Sequence, residues 1–363
     1  MTGTVLAIIG NPSNITGMTC LEMRPVFFLK LNGSLVTNLV VKGEGDGAVA
    51  LLDHAETSIK WGAKLMKHVN STEVNTKIMT PPEITAFKIA GLLLIPQNMA
   101  RPRLNLATPG PPFTWTKMPY VDGMSDAEFW NKDLGKFDSL PAKKNIVKMS
   151  DDAFWTDLGK VVAVDIFNGN CDRFDIEKGK GSWVNKGNIM FMPAGGPTKV
   201  IGLDTFDPNA RDFHDLNSHI DFTNMQTRGE FQHLLFLTDA GERLKFAKKC
   251  VTSVGSELKK AFKDITRITL QTDGPQGTVN VRIEIAQMAK LFDDYASVFD
   301  AGIAAGAALL KQHLQAKVRQ YAPVRQPPRP GGHRGYQPPP LIQVPGKTIP
   351  QGILDRMAYL KWT

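Results

Sequence analysis

Three polar residues with the chemistry for phosphoryl transfer each border an apolar run of this chain. Asp172 lies in a polar loop after one such run, Asn188 directly precedes a second, and Asp204 ends a third, at intervals of sixteen residues. In metal-dependent phosphoryl transfer one carboxylate accepts the hydroxyl proton, while an amide and a second carboxylate hold the Mg²⁺ that bridges the phosphates. The pattern therefore predicts Asp172 as general base, with Asn188 and Asp204 as metal ligands.

Neighbouring residues compete for two of these roles. An insertion between the base and Asn188 leaves Asn170 and Asn185 as rival metal ligands. Asp207 is a rival of Asp204, which is preferred because it ends an apolar run directly. A non-catalytic reading remains for the base itself, which could cap a turn beside a surface partner.

Two upstream residues suit the binding of ATP phosphates. Lys42 closes a predicted inner strand and would contact the α- and β-phosphates. Glu56 lies on the next predicted helix and would pair with Lys42 to hold its rotamer, although Glu44 is a competitor.

A turn and a connection complete the predicted nucleotide site. The turn at 10–17 is rich in residues that expose backbone N–H groups, which favour anions, and it would lie over the phosphates. The segment 118–121 would connect two lobes and read adenine through its backbone. The residues assigned to these roles are Gly10, Ser13, Asn14, Gly17, Met118 and Tyr120.

The elements that must position these residues change character along the chain. The first 120 residues are predicted to be mostly strands, with a hairpin of 26–31 and 35–41 around an Asn-Gly turn and one helix near 47–69. Beyond them helices are predicted at 125–134, 150–167, 240–263 and 283–320. Asp residues cap the first two of these helices, and Asp165 is placed to orient the following loop.

Composition restricts the class of protein. The chain has 363 residues and a formal charge of +8, of which the last 49 residues carry +7, so its basic character does not predict nucleic-acid binding. No apolar run approaches the roughly 18–20 residues of a membrane span. Three scattered cysteines favour reduced thiols and a cytoplasmic site of action, which a secreted effector in a host cytosol would share.

The end of the chain forms a segment of different composition. Residues 325–340 are rich in Pro, Gly and Arg, which favours an extended, polyproline-like conformation. Such a segment could be a flexible linker or a ligand for an SH3-type domain. Residues 353–362 are apolar enough to dock back onto the folded part.

The motifs resemble those of a known family. The Asn-x-Asp-Arg string at 170–173, followed by Trp183, the Gly-Asn pair at 187–188 and Asp204, is similar to the catalytic loop of atypical kinases related to phosphoinositide 3/4-kinases. Within that group it resembles the actin-fragmin kinase catalytic domain. The likeness covers about 165–207 well, and Val-Val-Lys at 40–42 resembles the strand of that family's ATP lysine. The usual His-Arg-Asp and Asp-Phe-Gly strings of protein kinases are absent.

The resemblance implies an α+β, bilobal protein-kinase-like fold over 1–320. Its β-rich N-lobe would cover about 1–117 and its mainly helical C-lobe about 124–320, with a Pro-rich basic tail at 321–363. It implies an ATP- and Mg²⁺-dependent kinase acting on a protein Ser/Thr hydroxyl, with actin among the candidate acceptors and Arg173 beside the base in the catalytic set. The alternatives are a lipid or small-molecule kinase, a pseudokinase scaffold that recruits a partner through its tail, or an enzyme that transfers AMP or glutamate.

Overall fold

A computed structural model gives the architecture of the chain. The residues that the structure describes are 10–21, 25–44, 52–69, 76–96, 104, 114–120, 124–125, 149, 151–184, 189–191, 200–202, 216–261, 267–274, 277–284, 293–321 and 348–363.

The N-terminal part is built on an antiparallel sheet of five strands. Their order across the sheet is β1-β2-β3-β5-β4, so β3 is the central strand. The strands are β1 (Ile15–Cys20), β2 (Val26–Leu31), β3 (Leu39–Glu44), β4 (Lys77–Ile78) and β5 (Thr114–Pro119).

The predicted hairpin forms, with a longer connection than expected. Asn32 and Gly33 adopt φ values of 53° and 75°, the left-handed pair that a tight turn after β2 requires. The second strand begins at Leu39 rather than at Leu35, which is 89% exposed. Asn38 fixes the register, because its side-chain oxygen accepts from the Leu31 N–H at 2.9 Å.

One face of the sheet buries a core against a helix. Alternate residues of β2, Phe27, Leu29 and Leu31, are buried and pack towards α2 (Pro81–Leu94). Phe87 of α2 meets the Phe27 ring edge-on, with 5.0 Å between centroids. Helix α1 (Leu52–Val69) instead connects β3 to β4 and packs on β4, β5 and the helices of the second core.

The second core surrounds α3 (Asp152–Asn168). Asp151 caps this helix by accepting from the Ala153 N–H at 3.0 Å, as the sequence predicts. Every residue from Val161 to Asn168 is buried, so this half of α3 is enclosed on all sides. The other α-helices among the described residues are α4 (Met225–Glu230), α5 (Ala240–Ala261), α6 (Ala296–Tyr321) and α7 (Gln351–Tyr359).

Two small antiparallel sheets complete the described part. One contains β6 (Met124–Ser125), β7 (Ile189–Phe191) and β8 (Val200–Gly202), and β8 packs on α3. The other is a hairpin of β9 (Arg267–Gly274) and β10 (Gly277–Glu284).

The α+β class is confirmed, with differences in detail. Helix α6 begins at Ala296, so the predicted helical stretch at 283–320 is wrong at its start, where Ile283 and Glu284 end β10. The helix predicted at 125–134 is wrong at its start, since Ser125 lies in β6, and its residues 126–134 lie outside the described part. The dock-back of 353–362 is confirmed, since Ile353, Met357 and Trp362 are buried in the second core. That segment therefore belongs to the folded body rather than to the tail.

None of the helices among the described residues is both long and apolar enough to cross a membrane.

Candidate functional site

The loop that carries Asp172 is held to the end of α3 by its own backbone. Gly169 ends the helix with φ 80°, a left-handed conformation that glycine adopts without strain. The Asn170 N–H then donates to the Asp165 carbonyl at 2.8 Å. The Asp172 N–H donates to the Asn170 side-chain oxygen at 3.0 Å, an Asx turn that sets the direction of the chain at the predicted base.

A buried ion pair supports this loop from inside the core. Arg173 is fully buried, and its Nη1 donates to Asp165 Oδ1 at 2.6 Å and Oδ2 at 2.5 Å. Asn170 Nδ2 donates to the same carboxylate at 3.1 Å. Burial raises the pKa of Asp165, while the Arg173 guanidinium and the Asn170 amide act in the opposite direction. The orienting role predicted for Asp165 is confirmed by these contacts.

The two sides of the loop differ in accessibility. The Asp172 side chain is half-buried, so part of it is exposed to solvent. Arg173 was assigned to the catalytic set, and its complete burial favours a positioning role instead. After the loop, Phe174 pairs with Trp183 in a β-bridge and stacks on it with 6.4 Å between ring centroids.

The end of β8 meets the loop and α1 at one point. A Cβ built on Gly202 would lie 3.3 Å from Arg173 Nη2 and 3.2 Å from Met66 Cε of α1. It would also lie 2.7 Å from a Val161 methyl of α3, so glycine is required for this approach. Gly202 precedes Asp204 by two residues. Both predicted metal ligands, Asn188 and Asp204, and the rival Asn185 lie outside the described residues.

Lys42 lies on the central strand, on the sheet face opposite α2. Its partners across the sheet are Val26 and Thr116, which therefore share its face. Two residues earlier, Val40 has Phe28 and Met118 as its partners. These side chains are half-buried apart from Thr116, so they form an accessible apolar floor beside the lysine.

The predicted connection between lobes leaves the sheet at this floor. Met118 lies in β5, and the Tyr120 N–H donates to the Asn38 carbonyl at 2.9 Å. The Tyr120 ring is 38% exposed and meets Phe28 edge-on, with 6.2 Å between centroids. Glu56 lies in α1, as predicted, and its side chain lies outside the described part.

The turn at 10–17 does not lie near Lys42. Asn11 caps the short 3₁₀ turn Pro12–Asn14, and β1 begins at Ile15, so Gly17 is inside a strand. The Asn14 carbonyl accepts from the Asn32 N–H at 2.8 Å, at the far end of β2. Since Lys42 pairs with Val26 at the near end, the two features are separated by about 17 Å along the strand. The structure does not bring Gly10, Ser13 and Asn14 to the lysine.

A different connection lies at the Lys42 end of the sheet. The Leu21 N–H donates to the Val26 carbonyl at 3.0 Å, and the Gly43 N–H donates to the Pro25 carbonyl at 2.9 Å. The link between β1 and β2 thus lies at the end of the sheet where Lys42 pairs with Val26, and only its Pro25 end contacts β3.

A second Lys–Glu pair was missed by the sequence reasoning. Lys117 of β5 is 4% exposed and forms a hydrogen-bonded ion pair with Glu83 of α2, on the face away from Lys42. Burial raises the pKa of Glu83, but hydrogen bonds from Lys117 and Thr80 outweigh it and hold the pKa below its usual value. The Thr-Pro-Pro-Glu string at 80–83, a capping box with Pro in the first turn, was the signal for α2.

No group of three or more His, Cys, Asp or Glu side chains within the described ranges is arranged to hold a metal ion. No family model, curated protein or solved structure matches this chain.

Proposed function

We propose that this protein is an ATP- and Mg²⁺-dependent phosphotransferase whose acceptor is a hydroxyl group of a protein. The contact between Gly202 and Arg173 is the observation that carries this proposal. It brings Gly202 at the end of β8, two residues before Asp204, against the buried guanidinium of Arg173, the residue after Asp172. A base and a metal-binding carboxylate at such a meeting point are what the transfer reaction requires.

The position of Lys42 supports the nucleotide part of the proposal. The lysine is on the central strand of a five-stranded sheet, next to the half-buried side chains of Phe28, Val40 and Met118. An apolar floor suits an adenine ring, and the ammonium group suits its phosphates. The chain order is three strands, a helix, a strand, a second helix and a fifth strand, so α2 is an addition to the β-rich lobe that the family resemblance implies.

The chemistry assigned to each residue follows from its type. Asp172 would accept or orient the hydroxyl hydrogen of the acceptor, and Arg173 with Asp165 would hold the loop in place. Asn188 and Asp204 offer oxygen ligands of the kind Mg²⁺ prefers, with Asn170 and Asn185 as rivals for the amide. The bound ion would neutralise charge on the phosphates. In this reaction positioning and charge neutralisation supply most of the rate.

The phosphate-covering role assigned to the turn at 10–17 is not part of this proposal. The turn lies about 17 Å from Lys42 along the strand. That distance is too long for a single triphosphate to contact both the turn and the lysine side chain. Leu21 and Pro25, which bound the link between β1 and β2, are instead at the Lys42 end of the sheet, and residues 22–24 between them lie outside the described part.

The acceptor class rests on the resemblance to actin-fragmin kinases, with actin as one candidate. A cytoplasmic place of action and an SH3-type partner for the Pro-rich segment are further parts of the proposal. Transfer to lipid in place of protein would favour the lipid-kinase alternative. Nucleotide binding without consumption would favour the pseudokinase alternative.

Binding of a fluorescent ATP analogue, with and without Mg²⁺, tests the nucleotide site. Lys42→Met removes a charge-assisted contact and is expected to weaken binding at least about tenfold. Lys30→Met is the matched control. Lys30 of β2 lies on the same face of the sheet as Lys42, but at the opposite end of the strand, where it pairs with Gly17. Equal affinities for the two variants, or no binding by the unmodified protein, would contradict the site.

A further inference from the structure

A cluster of basic side chains lies between α1 and α6, outside the site described above. His68 of α1 and His313 of α6 face each other, with 4.1 Å between ring centroids and 34° between ring planes. The first ring is exposed and the second is half-buried, so the pair is open to solvent.

Lysines extend this pair along both helices. Lys60 and Lys64 precede His68 by two turns and one turn, and Lys64 Nζ lies 4.9 Å from the centre of the Trp61 ring. Lys317 follows His313 by one turn, and its Nζ donates to Gln320 Oε1 at 3.1 Å. The basic cluster, as named here, consists of Lys60, Lys64, His68, His313 and Lys317.

The groups of the basic cluster repel one another when charged. Burial lowers the pKa of His313 to about 4, with further lowering by His68, Lys317 and Lys64. Burial also lowers the pKa of Lys64, and the positive charges of Lys317 and Lys60 lower it further. Among the side chains that the structure describes, the charged groups that act on these two are therefore basic.

The geometry favours an anion over a metal cation. The lone pairs of an imidazole lie in its ring plane, so two rings only 34° from parallel do not direct nitrogen atoms at one metal ion. Lysine ammonium groups beside the rings add repulsion for a cation. Ammonium and protonated imidazole groups, by contrast, are all donors to a single anion.

We propose that the basic cluster binds a phosphate group carrying two negative charges. The ligand would accept hydrogen bonds from Lys64 and Lys317 and draw a proton onto His313. Its charge would offset the repulsion between α1 and α6 at their contact. This inference does not rest on the proposed function, because the basic cluster includes none of the residues assigned to nucleotide binding or transfer, although Glu56 lies one turn before Lys60 on α1.

Sulfate is the first probe, because it keeps its double charge between pH 6 and pH 8. If the bound anion restores His313 from a pKa of about 4 to its usual value of 6.5, linkage makes sulfate bind about fourfold more tightly at pH 6 than at pH 8. NMR titration of the imidazole protons should show that pKa rising when sulfate saturates the protein. No rise, and equal affinity at the two pH values, would overturn the proposal.

Substitutions separate this site from general attraction to a basic protein. The double variant Lys64→Gln/Lys317→Gln should bind sulfate at least about tenfold more weakly. The matched control is Lys245→Gln/Lys260→Gln, since both of these lysines are exposed on α5 and each pairs with a glutamate three residues earlier. Equal losses in the two double variants would overturn the proposal.

Two sources could supply the phosphate group, and two further probes distinguish them. Tighter binding of inorganic pyrophosphate than of a phosphoserine peptide would identify a free polyphosphate as the ligand, and the reverse order would identify a phosphorylated chain. Both measurements use Lys42→Met protein, so that the nucleotide site does not contribute. Failure of both probes to bind would contradict the inference and leave the proposed function untouched.

Discussion

Asp165, Asn170 and Arg173 form a polar group inside an otherwise apolar core. Arg173 and Asp165 have side chains 0% and 2% exposed, and their contact spans eight residues of chain at the end of α3. A buried carboxylate and guanidinium at this site add little stability compared with apolar side chains, because both are desolvated. What the pair does is hold the loop that carries Asp172.

Removing one member of this pair should be far more costly than removing a surface pair. Arg173→Met leaves the Asp165 charge buried without its guanidinium, and we expect the free energy of unfolding to fall by about 3–5 kcal/mol. Asp165→Asn/Arg173→Met should lose less than the sum of the single changes. Urea denaturation measures each value.

The control is Arg267→Met, whose partner Glu284 lies opposite it on the β9–β10 hairpin. Their side chains are 47% and 37% exposed, so a loss of at most about 1 kcal/mol is expected. Equal losses for Arg173→Met and Arg267→Met would contradict the positioning role.

The sequence predicts the residues of this loop better than it predicts their roles. Asp165 could be placed near the loop from helical spacing alone. Nothing in the sequence distinguishes an Arg173 that reaches solvent from one that turns back into the core. That choice depends on the apolar packing of α3 and on the close approach of Gly202, both of which are set by distant parts of the chain.

At the scale of elements, α3 and α6 cross with glycines at their contact. A Cβ on Gly302 of α6 would lie 2.5 Å from the Thr156 carbonyl oxygen, and one on Gly159 of α3 would lie 2.6 Å from the Phe299 carbonyl oxygen. Because the obstacles are backbone atoms, a side chain could be accommodated only by moving the helices apart. The contact fixes α3, and with it the loop at the end of α3.

Gly302→Ala therefore compares two opposing effects on stability, the gain in helix propensity and the cost of overpacking the helix crossing. Propensity alone would make the variant more stable by about 1 kcal/mol. We expect a loss of at least about 1–3 kcal/mol, because the methyl group overpacks the crossing. The measurement is the midpoint of thermal unfolding.

Gly229→Ala is the matched control in α4, where a Cβ would meet nothing within 4 Å. This variant should gain stability. A gain in both variants would show that the helices are not in close contact.

Local signals in the sequence were sufficient for some elements and misleading for others. The helical period identified α1, where Ile59, Ala63 and Met66, three or four residues apart, are all buried. The β9–β10 hairpin was missed, although Ile268 and Leu270 alternate with polar residues and the Asp-Gly pair at 273–274 marks its turn. The pairing of Lys117 with Glu83 depends on α2 crossing β5, which no local pattern specifies.

At the scale of the whole molecule, the end of the chain returns to the core beside the candidate site. Trp362 is 3% exposed and stacks on Phe167 of α3, with 5.8 Å between ring centroids and 3° between ring planes. Gln315 of α6 donates to the Trp362 carbonyl at 2.8 Å. The last residues thus support the same end of α3 that leads into the Asp172 loop.

Trp362→Ala should lower the free energy of unfolding by about 3–5 kcal/mol, because it opens a cavity against Phe167. Leu35→Ala, at a side chain 89% exposed, is the control and should change stability by no more than about 0.5 kcal/mol. Denaturant titration of both variants gives the comparison. A small loss for Trp362→Ala would show that the chain end is not part of the core.

The stability of the molecule should also depend on pH through His233. Burial, followed by the nearby Arg356, lowers the pKa of His233 from 6.5 to about 3. Between these two pKa values, the unfolded chain binds a proton at His233 and the folded chain does not. Stability is therefore complete above pH 6.5 and falls by up to about 1.4 kcal/mol per pH unit as the pH drops towards 3. His233→Gln should flatten this dependence in unfolding curves taken from pH 7 to pH 4, and an unchanged slope would contradict the burial of a neutral imidazole.

The central claim is that Asp172 acts in phosphoryl transfer, and its most direct test is transfer itself. Protein is incubated with γ-labelled ATP, Mg²⁺ and a cell extract, using Asp172→Asn beside Asp175→Asn. Asp175 is the matched control, since it lies three residues further along the same loop and pairs with Lys180 at 3.0 Å. The account predicts label on a discrete protein with the unmodified chain and with Asp175→Asn, and a loss of at least about a hundredfold with Asp172→Asn. Equal labelling by Asp172→Asn and the unmodified chain would contradict it.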